Sequence, residues 1–270
     1  MSGFVSHLFY EFRAGVRNRA LLLMNYLFPL GVYLLLGGLM AKLSPRFVDA
    51  MIPAMISVAI LSGGLLGLPS PLVASREAGV LRSYRVNGVP ASSILAAPAL
   101  ATFVHVAIVS LVVTLTAPIL FGAPHVENWA GLVLSFAATA FAVAGLGTLI
   151  GVACSSTSST ILWQQLVFLP SMMIGGLMVP AEMLPKALGR VGRLLPTTHA
   201  MSAFAGLAQG RETAVSPLFS LGILVVGGAA AFALSLWLFR WDNSPVPRQR
   251  SPMLALLAVL PYVIAAGLSR

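Results

Sequence analysis

Long apolar runs separated by short polar stretches recur along the whole chain. At about 20 residues per bilayer crossing, six runs are long enough to span as helices: Ala20–Ala41, Met51–Ala74, Ile94–Phe121, Ala130–Cys154, Ile161–Pro180 and Val215–Phe239. A seventh, Met253–Leu268, is shorter and carries Pro261; it fits either a tilted span or a segment lying in the interface. The first run exceeds the apolar core of a cleaved leader and reads as a span. Ahead of it, Phe4, Leu8 and Phe12 recur at i, i+4, i+8, with Glu11, Arg13 and Arg17 on other faces. That pattern predicts an amphipathic helix over 3–19 lying in the headgroup layer, the alternative being a plain lead-in. The expected fold is an all-α polytopic membrane protein.

Composition sharpens this picture. Of the 270 residues, 58% are hydrophobic and only 9% charged, against about 25% charged in a soluble domain. No large soluble domain fits beside the spans. The net charge of +9 points to anionic lipid rather than nucleic acid, because the basic residues sit in short loops between apolar runs. With the N-terminus inside, the inner segments hold Arg13, Arg17, Arg19, Arg76, Arg82, Arg85, Arg240, Arg248 and Arg250. The outer ones hold Lys42, Arg46, Lys186, Arg190, Arg193 and Arg211. This bias favours a cytoplasmic N-terminus. The single cysteine, Cys154, excludes an internal disulfide and lies in an apolar run without ligand-like neighbours.

One loop stands apart. "SREAGVLRSYRVNGVP", Ser75–Pro90, gathers one acid and three arginines between two apolar runs. Ser75 can cap a helix whose first turn holds Glu77. On that helix Val80, Leu81 and Tyr84 share a face with Glu77, while Arg82 and Arg85 take another; Asn87-Gly88 then breaks it. A short amphipathic helix between two spans suits docking into the groove of a soluble partner, or a place on the lipid surface. Near the other end, Pro180 and Pro185 flank "AEML", and Leu184, Leu188, Val191 and Leu195 form a stripe ended by Pro196. Non-helical backbone at membrane depth must be buried or line a cavity, so this stretch reads as an outer re-entrant segment or an interfacial helix.

The stretch from Ser75 to Leu100, with its Glu77–Gly79 acid–glycine pair and its Val89-Pro90-Ala91-Ser92 turn, resembles the first cytoplasmic loop of the ABC-2 type permeases, the membrane subunits of type V ABC exporters. Leu169–Leu207, with prolines at 180, 185 and 196, resembles that family's fifth span and outer re-entrant segment. The resemblance covers residues 1–240, leaving 241–270 as a C-terminal extension. It implies a permease subunit pairing with a second permease chain and with two ABC ATPase subunits that bind ATP and Mg. It further implies export across the cytoplasmic membrane and an ATPase-coupling role for Arg76, Glu77, Gly79, Val80, Leu81, Tyr84 and Arg85.

Other chemistry is sparse. No G-x-x-x-x-G-K-[ST] stretch occurs, so the chain carries no phosphate-cradling loop of its own. His7, His105, His125 and His199 form no metal-ligand or catalytic pattern, which argues against a membrane enzyme. The polar groups within spans are Asn25, His105, Gln164 and Gln165, candidates for lining a pathway. The spans lack the carboxylate or lysine that marks an ion-coupled carrier, and such an apolar lining suits a hydrophobic or amphiphilic cargo. Gly63, Gly64, Gly67, Gly145, Gly147 and Gly151 allow close helix approach, within one subunit or between two.

Overall fold

The computed structural model describes residues 3–178, 185–242 and 251–268, and among these every regular element is helical. In chain order they are α1 (Gly3–Arg17), α2 (Arg19–Leu43), α3 (Pro45–Asp49), α4 (Met51–Glu77), α5 (Val80–Val86), α6 (Ala91–Phe121), α7 (Trp129–Ala153), α8 (Thr157–Ile174), α9 (Lys186–Gly192), α10 (Pro196–Gln209), α11 (Pro217–Leu238) and α12 (Pro252–Leu268). Five of them, α2, α4, α6, α7 and α11, are long and apolar enough to cross a bilayer. Of the remaining expected span, 161–180, α8 covers residues 161–174, and it is not among the helices apolar enough to cross. Its opening turn of Thr and Ser, together with Gln164 and Gln165, makes it the more polar helix.

Local chemistry sets the boundaries. The Asn18 side chain accepts from the Ala20 amide at 2.9 Å, ending α1 and capping α2. Asn128 does the same for α7 through Gly131, and Ser156 for α8 through Ser159. Gly122 closes α6 in the left-handed region at φ 70°, which a side chain would resist.

The core is built around α4. Every residue from Met51 to Leu65 is buried, so this helix has no lipid-facing side along that stretch. Small residues let its neighbours close in: the Gly147 backbone on α7 sits against the Gly64 carbonyl, and Gly145 sits against Gly228 of α11. Phe141 and Phe232 stack beside that second contact at 5.2 Å. These glycines therefore serve packing within one chain. α12 lies along α11, with Tyr262 inserted against Gly227.

Candidate functional site at the α4–α5 junction

The charged loop is placed differently from a helix capped at Ser75. α4 continues through Ser75 and ends at Glu77; Ala78 is its C-cap and Gly79, at φ 74°, turns the chain into α5. The reason is tertiary. Arg76 is buried, and its guanidinium donates to the carbonyls of Cys154 (2.9 Å) and Gly151 (3.0 Å). These carbonyls belong to the last turn of α7, where the helix leaves its acceptors unsatisfied and its dipole is negative. One residue on, the Glu77 carboxylate accepts from the Thr157 hydroxyl at 2.8 Å and, at 3.4 Å, from the Thr157 amide. Thr157 opens α8, whose dipole is positive there. Consecutive residues of opposite charge thus clamp the end of one helix and the beginning of the next.

Beyond the Gly79 turn, Leu81 is buried and Tyr84 is half-buried, its ring 5.5 Å from that of His7 on α1. Val80, Arg85 and Val86 are exposed, and Arg82 meets Asp242 at 3.4 Å. The accessible side of α5 is therefore Val80, Ser83 and Val86 with the arginines, while Leu81 and Tyr84 hold α5 to the rest of the chain.

Of the four intramembrane polar residues, three are turned inward. His105 joins three helices. Its Nε2 donates to the Phe12 carbonyl of α1 at 3.1 Å, so its Nδ1 accepts from the Tyr26 hydroxyl of α2 at 2.6 Å. Phe12 stacks on the imidazole at 4.5 Å. Gln164 donates to Ser70 Oγ (3.1 Å) and to the Leu66 carbonyl (3.4 Å), tying α8 to α4. Asn25 is buried beside Gly63 and Gly67 with its Oδ1 unpartnered. Gln165 instead faces outward beside Leu162 and Leu166. None of these partnerships, separated by 79 to 98 positions in the chain, leaves a local sequence signal.

At the opposite end, Pro180 lies outside the described residues. Pro185 precedes α9, on which Leu188 and Val191 are exposed. Pro196 opens α10 rather than ending the preceding helix, which stops at Gly192; a proline is tolerated there because the first turn lacks amide partners anyway. α10 is tied down by Gln209, which donates to the Asp49 carbonyl at 3.2 Å, and by the Glu127 and Asn128 amides on the Ala208 carbonyl. Among the described residues no group of His, Cys, Asp or Glu is placed to hold a metal.

The fold defines a multi-pass helical membrane protein, with the Arg76–Glu77 clamp at one end of the bundle. Residues 41–237 match the family model described as ABC-2 family transporter protein, and the chain belongs to that family. No curated protein and no solved structure gave a match. Members of the family are membrane components of transporters, generally non-catalytic, and normally work with ABC ATPase subunits.

Proposed function

We propose that this chain is the permease subunit of an ATP-driven exporter in the cytoplasmic membrane, with its N-terminus inside. A separate ATPase, carrying the ATP and Mg, energises it, and a second permease chain, identical or related, completes the path. The cargo is hydrophobic or amphiphilic. The observation that carries the reading is the junction of α4 and α5. A short helix with an exposed Val80–Val86 side follows directly on the Arg76–Glu77 clamp. A push on α5 is thereby transmitted through Gly79 to the ends of both α7 and α8. The outward Gln165 on α8 suits contact with the second permease chain better than contact with lipid.

The test is purification of the tagged chain from its native membranes. The eluate should hydrolyse ATP through a co-purifying ABC subunit, and the chain stripped of that subunit should not. An eluate lacking both the subunit and the activity would refute the proposal.

A further inference from the structure

Beneath α1, at the same end of the bundle as α5, lies a cavity of about 320 Å³ walled by α1, α2, α4, α5 and α6. That is the lower end of the range for small-molecule sites, roughly 300–1,000 Å³. It has room for a headgroup and the start of its chain.

The charge of its lining runs against that of the chain. The protein has 16 lysines and arginines, yet among the described residues none lines this cavity, and Glu11 is the one acidic side chain among them that does. Glu11 lies on the inward face of α1, where His7 holds one carboxylate oxygen at 3.3 Å. Deeper in, Asn25 reaches the lining while only 2% exposed, and its Oδ1 has no hydrogen-bond partner. A buried amide oxygen without a donor is uncommon in folded proteins. It is held there by two irregular i→i+5 turns, Leu23–Leu27 in α2 and Ser62–Gly67 in α4, of the kind that gathers at functional sites. The bare backbone at Gly67 leaves space next to this oxygen, since a Cβ there would come within 3.4 Å of it. Tyr10 and Tyr84 contribute aromatic rings, and Leu21, Leu72 and Leu95 contribute apolar wall.

A carboxylate, an unsatisfied amide oxygen and aromatic rings, with no lysine or arginine among the described lining residues, together make a receptor for a hydrogen-bond-donating cation on an apolar stem. We propose that this cavity binds the ammonium group of an amphiphile, either the headgroup of an ethanolamine lipid or an amine-bearing small molecule. The site lies within one chain, so binding can be measured on the purified permease alone, without an ATPase.

The probe is an octylamine carrying a diazirine in its chain, added to the full chain in phosphatidylcholine nanodiscs and cross-linked by light. Peptides from residues 7–18, 21–25 or 80–102 should carry the label. Excess octylamine should remove it and equimolar octanol should not. Losing one charge-assisted contact should lower labelling about tenfold in Glu11→Gln, and comparably in Asn25→Leu. Each variant is first checked for an unchanged gel-filtration profile, and either alone suffices if the other fails to fold. Nanodiscs containing phosphatidylethanolamine that suppress labelling identify the lipid headgroup as the source; undiminished labelling identifies the free amine. Label absent from these peptides, equal competition by octanol, or indifference to the substitution in a folded variant would each overturn the proposal.

Discussion

The Arg76 guanidinium and the Cys154 carbonyl, 2.9 Å apart and 78 positions apart in the chain, join the last turn of α4 to the end of α7. The same guanidinium holds the Gly151 carbonyl, so Arg76→Ala leaves two buried acceptors without donors. Each such loss costs about 1–3 kcal/mol, and the thermal unfolding midpoint of the purified chain should fall clearly. Arg76→Lys should fall between parent and alanine, because one ammonium cannot reproduce the two-pronged contact.

His105 makes a similar join near the N-terminus. Tyr26→Phe removes the donor to Nδ1 and should cost about 1 kcal/mol or more. His105→Ala removes both hydrogen bonds and the surface on which Phe12 stacks. Because α1 is held to the bundle partly through that imidazole, limited trypsin digestion should cut faster after Arg13 and Arg17 in His105→Ala. Unchanged cleavage would mean that other contacts hold α1.

The five long spans were legible because an apolar run of sufficient length has few alternatives to a helix in lipid. The Ser75 boundary was not. Ser followed two residues later by Glu is a fair cap signal, but it was outweighed by Arg76 reaching carbonyls on a helix whose position no local pattern encodes. The same holds for α5: the wheel put Val80, Leu81 and Tyr84 on one face, whereas Val80 is exposed and Leu81 and Tyr84 turn toward the chain. Asn25 and His105 were visible as polar groups in apolar runs, while the partners that distinguish a satisfied histidine from an unsatisfied asparagine depend on tertiary packing. The presence of small glycines was readable, and their pairing was not.

That pairing yields a matched test. A Cβ at Gly147 would collide with the Gly64 carbonyl, a backbone atom that cannot rotate away, whereas Gly38 has open space around it. Gly147→Ala should therefore cost about 1–3 kcal/mol or more through overpacking. Gly38→Ala should be neutral or slightly stabilising, since alanine is the better helix former by roughly 0.5–1 kcal/mol. Thermal unfolding of the two variants side by side reads the contrast.

Acidification probes Glu11. Burial pushes its carboxyl above the ordinary carboxylate range, and the neighbouring His7 only partly offsets this. The groups facing it are His7 and Tyr10 on α1, Tyr84 on α5 and His105 on α6. A raised folded-state pKa means that ionised Glu11 disfavours the fold, and this cost is relieved as pH falls through that pKa. Mild acid should thus not destabilise the chain through Glu11, but it should neutralise the charge that an ammonium would use. Octylamine labelling should fall between a neutral and a mildly acidic buffer, the direction set by a carboxyl that burial pushes above its ordinary range. The labelling left in Glu11→Gln should lose that dependence. A parent that labels equally in both buffers would show that Glu11 does not carry the attraction.

The exposed side of α5 separates docking from internal bracing. Val86 is 83% exposed, so Val86→Glu should leave the unfolding midpoint unchanged. If Val86 fills an ATPase groove, burying a carboxylate there should lower ATPase retention about tenfold or more. Glu77→Ala acts differently, because its carboxylate already accepts from Thr157. Its effect on stability should be shared with Thr157→Val, the double variant losing less than the sum of the two. Retention of the ATPase and the unfolding midpoint, measured on all four variants, distinguish the two roles. Full retention in Val86→Glu, and likewise in Val80→Glu, would remove α5 as the docking element and leave Arg76 and Glu77 as braces of the bundle end.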